Sequence, residues 1–245
     1  TPISVSSEGL FVAMALYEPI DAQDSRKFIF RYHIPTDTVL IPNVGFVLEK
    51  PRPFSTQETL VNNGGNVFTV QCGALLDSVI FGSIGLFYVE STGGFVTVQG
   101  GSFMNCFSMS KRLSENNECF LLTNNVPDDG EIPRVNYVFE TPTPNTFDRY
   151  LVDFAPGPGG VPVGPYSVDL GPDQRTFYVL DKNTTRIYQA DFPTAPGTDV
   201  VPEHVANYGI GQTRLLQDIA FSNEQYLLYS TTLNSVPIFR IASLQ

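Results

Sequence analysis

Along most of this chain hydrophobic and polar residues alternate with a period of two, the signature of strands whose two faces differ. The clearest stretch is 163–192. There Tyr166, Val168 and Leu170 alternate with Ser167 and Asp169, Gly171-Pro172-Asp173 supplies turn chemistry, and Phe177-Tyr178-Val179-Leu180 forms a continuous apolar run. Glycine tolerates positive φ, proline presets φ and aspartate bonds its own backbone, so the turn separates two strands. The apolar run predicts a strand covered on both faces. Asp181-Lys182-Asn183 turns the chain again, and a third strand alternates from Ile187 to Phe192. Such a three-strand meander cannot bury its faces alone, which directs attention to repeats.

The same order recurs. Residues 1–36 hold an alternating segment at 3–9, an apolar run at 10–16 and a third segment at 28–34. The run at 10–17 is short and flanked by Gly9 and Pro19, which predicts a strand rather than a helix. Residues 75–103 repeat the unit, with 78–81, 86–89 and 95–98 as strands and Ser91-Thr92-Gly93-Gly94 as a tight hairpin. Residues 105–140 repeat it with a longer first turn, 114–117, and 215–242 repeat it with Asn223-Glu224 as the turn. Between the copies, 39–41, 45–48, 66–71, 147–154 and 205–209 also read as strands, while the proline- and glycine-rich stretch 141–165 reads as surface loop. No segment has the capping and period of a long helix.

Five copies of one unit, about 50 residues apart with a fourth strand drawn from the intervening pieces, predict an all-β chain. The expected architecture is a β-propeller of about five four-stranded blades in a single domain, 1–245. A β-sandwich is the competing architecture. The segment Gly164-Pro165-Tyr166-Ser167-Val168-Asp169-Leu170-Gly171-Pro172-Asp173, followed by Phe177-Tyr178-Val179-Leu180-Asp181 and Arg186-Ile187-Tyr188, resembles the propeller repeats of the lactonase-like, gluconolactonase-like and yellow (royal-jelly) families. Residues 218–241 resemble a second, looser copy. The resemblance covers about a third of the chain and is structural rather than catalytic. Those families use six or seven blades in longer chains, so this chain departs from them in length.

Composition narrows function. Charged residues make up 16% of the 245, against roughly 25% in ordinary globular proteins, and Lys27, Lys50, Lys111 and Lys182 are the only lysines. Low lysine with abundant Thr, Asn, Tyr and Phe points to a secreted or surface protein. The net charge of −11 argues against nucleic acid and against docking on anionic lipid. No apolar run approaches the roughly 18 residues of a membrane-spanning helix. The chain opens at Thr1-Pro2-Ile3 without methionine, as a processed or a trimmed N-terminus would.

Candidate chemistry is sparse. The gluconolactonase-like resemblance implies a divalent metal held by acidic and amide side chains at a channel mouth, and the inner-strand acids in question are Asp77, Asp169 and Asp218. Turn or strand-edge acids are the alternative reading, and no family metal motif maps onto them residue by residue. Asp128 and Asp129, beside Gly130-Glu131, form the densest acidic cluster; oxygen ligands suit calcium, but calcium-loop spacing is missing and a solvated turn explains the cluster. His33 and His204 are the only histidines, too few for a multi-histidine zinc site, and no Gly-x-Ser-x-Gly elbow occurs. Cys106 and Cys119 lie on neighbouring predicted strands and are the expected disulfide, with three buried thiols including Cys72 as the alternative. Asn183-Thr184-Thr185 fits a glycosylation acceptor in a turn.

The last unit ends just after its third strand, so an unpaired edge is expected to be protected or used for pairing with another chain. Eleven tyrosines and nineteen phenylalanines with few charges suit a self-associating surface. The expected function is that of a non-catalytic extracellular propeller acting through protein or glycan contacts, without cofactor. The alternative is a propeller hydrolase, metal-dependent lactonase-like or glycosidase, with acids at the channel mouth.

Overall fold

A computed structural model describes residues 3–19, 24–40, 44–49, 57–71, 74–76, 79–81, 85–92, 95–100, 106–110, 113–123, 134–156, 160, 162–171, 173–181, 186–207, 216–223, 226–233 and 236–243. Among these the chain forms strands and turns and no helix. Sheet I contains β1 (Ile3–Val5), β2 (Phe11–Pro19), β3 (Asp24–His33) and β4 (Thr38–Val39) in that order, with β5 (Val44–Glu49) also paired to β3. Sheet II draws on β6 (Gln57–Val61) and β7 (Val67–Gln71). The chain then makes a separate hairpin, β8 (Ala74–Leu76) with β9 (Val79–Phe81), before returning to sheet II with β10 (Gly85–Val89) and β11 (Phe95–Gly100). Sheet III is a simple meander of β12 (Cys106–Met109), β13 (Cys119–Thr123), β14 (Arg134–Glu140) and β15 (Phe147–Leu151). After β16 (Asp153–Phe154), sheet IV follows with β17 (Pro165–Leu170), β18 (Thr176–Asp181) and β19 (Arg186–Asp191). The short β20 (Asp199–Val200) pairs β16 in parallel, and β21 (Glu203–Asn207) completes sheet IV. Sheet V is β22 (Leu216–Asn223), β23 (Tyr226–Leu233) and β24 (Val236–Ser243).

One turn sets the register of these sheets. Where the first strand passes to the second, Gly9 N–H donates to the Ser6 carbonyl, Gly65 to Asn62, Asn117 to Ser114 and Gln174 to Gly171. In all four turns that fourth residue has positive φ: 70° at Gly9, 77° at Gly65, 59° at Asn117 and 55° at Gln174. Glycine and asparagine suit this left-handed position. The first residue closes the turn with its side chain: Ser6 Oγ accepts from the N–H groups of Leu10 and Phe11, and Asn62 Oδ1 from those of Gly64 and Asn66. Ser114 Oγ accepts from the Glu118 N–H. Where the first residue is Gly171, which has no side chain, Asp173 takes over and accepts from the N–H groups of Arg175 and Thr176 and from the Thr176 hydroxyl. Ser222-Asn223-Glu224-Gln225 repeats the pattern in sequence between β22 and β23.

The sheets meet face to face with their first strands at the junctions. β6 lies against β1 and β2, β17 against β12, β13 and β14, and β22 against β17. The larger core lies between sheets III and IV, where Phe120, Leu122, Val135 and Tyr137 meet Val168, Leu170, Phe177, Val179 and Tyr188. The Phe120 and Phe177 rings stack with centroids 4.3 Å apart. Ala13 and Ile29 meet Val61 and Val67 between sheets I and II. Phe68, Tyr88 and Phe147 form an aromatic cluster joining sheets II and III.

Two expectations need correction. The strand predicted at 78–81 does not open the second repeat: Val79–Phe81 belongs to the side hairpin, and the strands at 57–61 and 67–71 are the first two of sheet II. The turn at 62–65 decides this, because it carries the repeated hydrogen bonds. The Cys106–Cys119 disulfide is not formed, and Cys119 is a buried thiol. Their strands are adjacent, but Cys106 pairs with Thr123, four residues beyond Cys119, which is about 13 Å along a strand and far outside bonding reach.

Replacing Phe120 with alanine removes the ring that stacks across the sheet III–IV core. The expected loss is about 3–5 kcal/mol, whereas Val39→Ala, at an exposed site, should cost less than about 0.5 kcal/mol. Urea unfolding of the two variants checks this.

Candidate functional site

The repeated turns touch one another, so the sheets are joined along one end by a chain of polar contacts. From sheet I to sheet II, the Glu8 N–H donates to Asn63 Oδ1 at 3.0 Å and the Asn63 amide donates to Ser7 Oγ at 2.9 Å. From sheet II to sheet III, the Asn63 N–H donates to Glu115 Oε1 at 3.2 Å, and the buried Asn62 amide donates to Asn117 Oδ1 at 3.0 Å. From sheet III to sheet IV, the Glu115 N–H donates to Gln174 Oε1 at 2.8 Å. Residues chosen for turn geometry thus double as the links between sheets.

Asn117 is the hub. Its amide nitrogen donates to Tyr88 Oη at 3.1 Å and to Glu140 Oε2 at 2.8 Å. Glu140 Oε1 also accepts from the Asn145 N–H at 2.6 Å, and the Asn145 amide donates to Glu90. Glu118 accepts from the Ser114 hydroxyl and from Tyr137. Burial, reinforced by the charges of Glu140 and Glu90, pushes the Tyr88 phenol up to about 12, against a small opposing effect of the Asn117 hydrogen bond. The Tyr137 phenol is driven further in the same direction by burial and by Glu118.

A second link runs from sheet I to sheet II through Arg31, which is almost fully buried. Its Nη1 donates to the Gly65 carbonyl at 3.1 Å and to the Glu90 carbonyl, while Nε and Nη2 have no hydrogen-bond partner. Burial lowers its pKa. Gly65 leaves little room for a side chain here, since a Cβ would stand 3.1 Å from Phe11 Cε1 and the backbone has positive φ.

Of the acids singled out from sequence, Asp169 and Asp218 lie on described strands. Asp169 is fully buried on β17, where Oδ1 accepts the Leu170 N–H at 2.9 Å. Asp218 lies on β22 opposite Ser230. Asp77, Asp128, Asp129 and the acceptor Asn183 lie outside the described residues. Counting back four residues from each turn aligns Glu58, Ser110, Ser167 and Asp218 on the first strands. Ser110 and Ser167 are buried. Among the described residues no three His, Cys, Asp or Glu side chains are grouped to hold a metal ion. His33 Nδ1 is engaged with the Thr36 hydroxyl at 2.6 Å.

The linking residues Asn62, Asn63, Glu115 and Asn117 were not foreseen as a set. Their signal was present as a polar four-residue turn following an apolar residue, Val5, Val61, Leu113, Leu170 and Phe221 in turn. Aligning those turns, instead of the apolar runs, would have found them.

Solved structures resemble this arrangement. The chain aligns over 96% of its length with a putative 6-phosphogluconolactonase from Bacteroides uniformis (TM-score 0.54, 14% identity), covering 67% of that chain. It aligns over 100% with the β-propeller domain of Cps50 (Swd1) from Myceliophteria thermophila (TM-score 0.50, 11% identity, 87% of that chain). It aligns over 95% with an α-L-arabinofuranosidase from Fusarium graminearum (TM-score 0.51, 11% identity, 72% of that chain). It spans as little as 55% of some chains that it resembles. No protein-family model and no curated protein sequence matches it. At these identities the likeness establishes the fold, and that fold is an all-β propeller.

Two measurements probe the turn network. Asn117→Gly keeps a residue suited to positive φ but strips the hub from Tyr88, Glu140 and Asn62. The expected cost is about 1–3 kcal/mol in chemical denaturation. In alkali, the raised phenol of Tyr88 contributes stability that is intact below the ordinary tyrosine value of 10.0 and is lost as pH rises through about 12. Thermal melts across that window should fall more steeply for the parent chain than for Tyr88→Phe.

Proposed function

We propose that this chain is a non-catalytic extracellular or surface β-propeller that works through protein contacts and self-association. The observation that carries this reading is the use made of its carboxylates. On the turn end of the sheets Glu90, Glu115, Glu118, Glu140 and Asp173 all accept hydrogen bonds from neighbouring parts of the fold. These carboxylates carry hydrogen bonds that join parts of the fold, which accounts for their placement without invoking catalysis. The scarcity of lysine and the exposed Ile3, Val5, Ile34, Val39 and Val201 support a surface that meets other molecules. The acceptor triplet at Asn183 is consistent with an extracellular setting.

A propeller hydrolase is the second reading, favoured by the matches to a putative lactonase and a glycosidase. It would draw on acids such as Asp169 and Asp218, with calcium as the cation suited to oxygen ligands. The two readings are separated by assaying purified chain against lactone and aryl-glycoside panels, with and without added calcium. The scaffold reading expects no turnover above a heat-denatured control and no calcium-dependent rise in melting temperature. Turnover that disappears in Asp218→Asn, or a calcium shift abolished by that change, would overturn it in favour of the hydrolase.

A further inference from the structure

The first and fourth sheets can be superposed residue by residue through their turns. Counting from Ser6 and from Gly171, Ile3 corresponds to Val168 and Val5 to Leu170. Through the strand registers Val12 corresponds to Phe177, Met14 to Val179, Phe30 to Tyr188 and Tyr32 to Ala190. In sheet IV all six are buried, because sheet III lies on that face. In sheet I the same six positions are apolar or aromatic but uncovered: Ile3 is 64% exposed, Val5 is 50% exposed, and the other four are half-buried. The row extends to Val39, paired with Tyr32 and 53% exposed, and to Phe28, whose ring lies 6.5 Å from that of Phe30. The opposite face of sheet I, with Ala13, Ile29 and Arg31, is the one that sheet II covers.

An apolar row whose counterpart elsewhere in the chain is a sheet-to-sheet junction is built to receive another sheet of the same repeat. Sheet V carries the same repeat in matching register. By register, Leu228 and Ile241 of sheet V occupy the positions of Phe120 and Tyr137 in sheet III, and Ser230 and Phe239 those of Leu122 and Val135. These sheet III residues form the surface that covers sheet IV. Ile3 and Val5, at the centre of this row, are exposed. We infer that the outer face of sheet I is the seat for sheet V of a second copy, so that copies of this chain associate head to tail. This rests on the self-association reading above and names its surface and its partner. A head-to-tail contact does not pair a patch with itself, so it propagates into rings or chains. The face is small, in the range of interfaces burying less than about 1,200 Å² in total, so association is weak and concentration-dependent. With a net charge of −11 per copy, mutual repulsion opposes it, and salt screening strengthens it.

Sedimentation velocity over a concentration series, at low and high salt, tests the association. The expected result is a weight-average mass that rises with concentration and with salt, and that stays monomeric in Val5→Glu/Met14→Glu with an unchanged circular dichroism spectrum. Mixing a Val5→Cys copy with a Leu228→Cys copy under mild oxidation should yield a linked heterodimer that neither gives alone. If the double variant Val5→Cys/Leu228→Cys instead closes on itself as a linked monomer, the cover is the chain's own fifth sheet and the inference is overturned. A parent chain that remains monomeric up to about 100 µM, a weak limit for specific complexes, also overturns it. Should the double-glutamate variant misfold, the cysteine mixing still decides. Enzymatic turnover by a chain that associates as described would sink the scaffold reading alone, and a monomer without turnover would sink this interface alone.

Discussion

The side chain that closes each first turn is the interaction on which the rest of the fold depends. Ser6, Asn62 and Ser114 are buried and spend their oxygen atoms on backbone N–H groups of the strand that follows. That bond fixes where the second strand starts, and with it which residues face the preceding sheet and which face the next. A slip of one residue would exchange the two faces, placing Cys119 and Leu121 where Phe120 and Leu122 now meet sheet IV. Asp173 shows that the requirement is for an acceptor at this place and not for one residue type, since it performs the same task from two positions further along.

The same turns also supply cohesion between sheets. A repeat protein holds together through contacts between successive units, and here these are of two kinds. Apolar faces meet between sheets I and II and, most extensively, between III and IV. Sheets II and III rely on a mixed junction, in which Phe68, Tyr88 and Phe147 pack beneath the polar hub at Asn117. A hydrogen-bonded hub of this sort is costly to leave half-satisfied, which explains why Asn62, Tyr88, Glu140 and Asn117 are all engaged together. Arg31 is the exception. Its two unmatched nitrogens are a penalty carried by the junction between sheets I and II.

Much of this architecture was legible in the residues. The strands around 166–170, 177–180 and 187–191 lie where alternation and the apolar run put them, and the short apolar segment after Gly9 is a strand rather than a helix. The error in sheet II has a physical source. Val79-Ile80-Phe81 is as apolar as a true first strand, whereas the actual first strand, Gln57–Val61, opens with three polar residues. Apolar content says that a segment is buried but not which sheet buries it; turn hydrogen bonding decides the latter. The Cys106–Cys119 pairing failed for a related reason, since adjacency of strands was readable but their offset was not. Candidate acids were chosen from inner-strand position and acidic clustering, while the residues that join the turns are mostly amides, whose role depends on neighbours from other repeats and is invisible to a reading confined to one unit.

Comparison of sheets I and IV separates what a repeat encodes from what its surroundings complete. Both carry six large apolar or aromatic side chains, or small ones within an apolar row, on the same face and in the same register. The difference in burial between Val5 and Leu170 therefore owes nothing to local sequence preference and everything to whether a neighbour is present. Covering apolar area is worth roughly 25 cal/mol per Å², so an uncovered face of this kind is a standing driving force for contact.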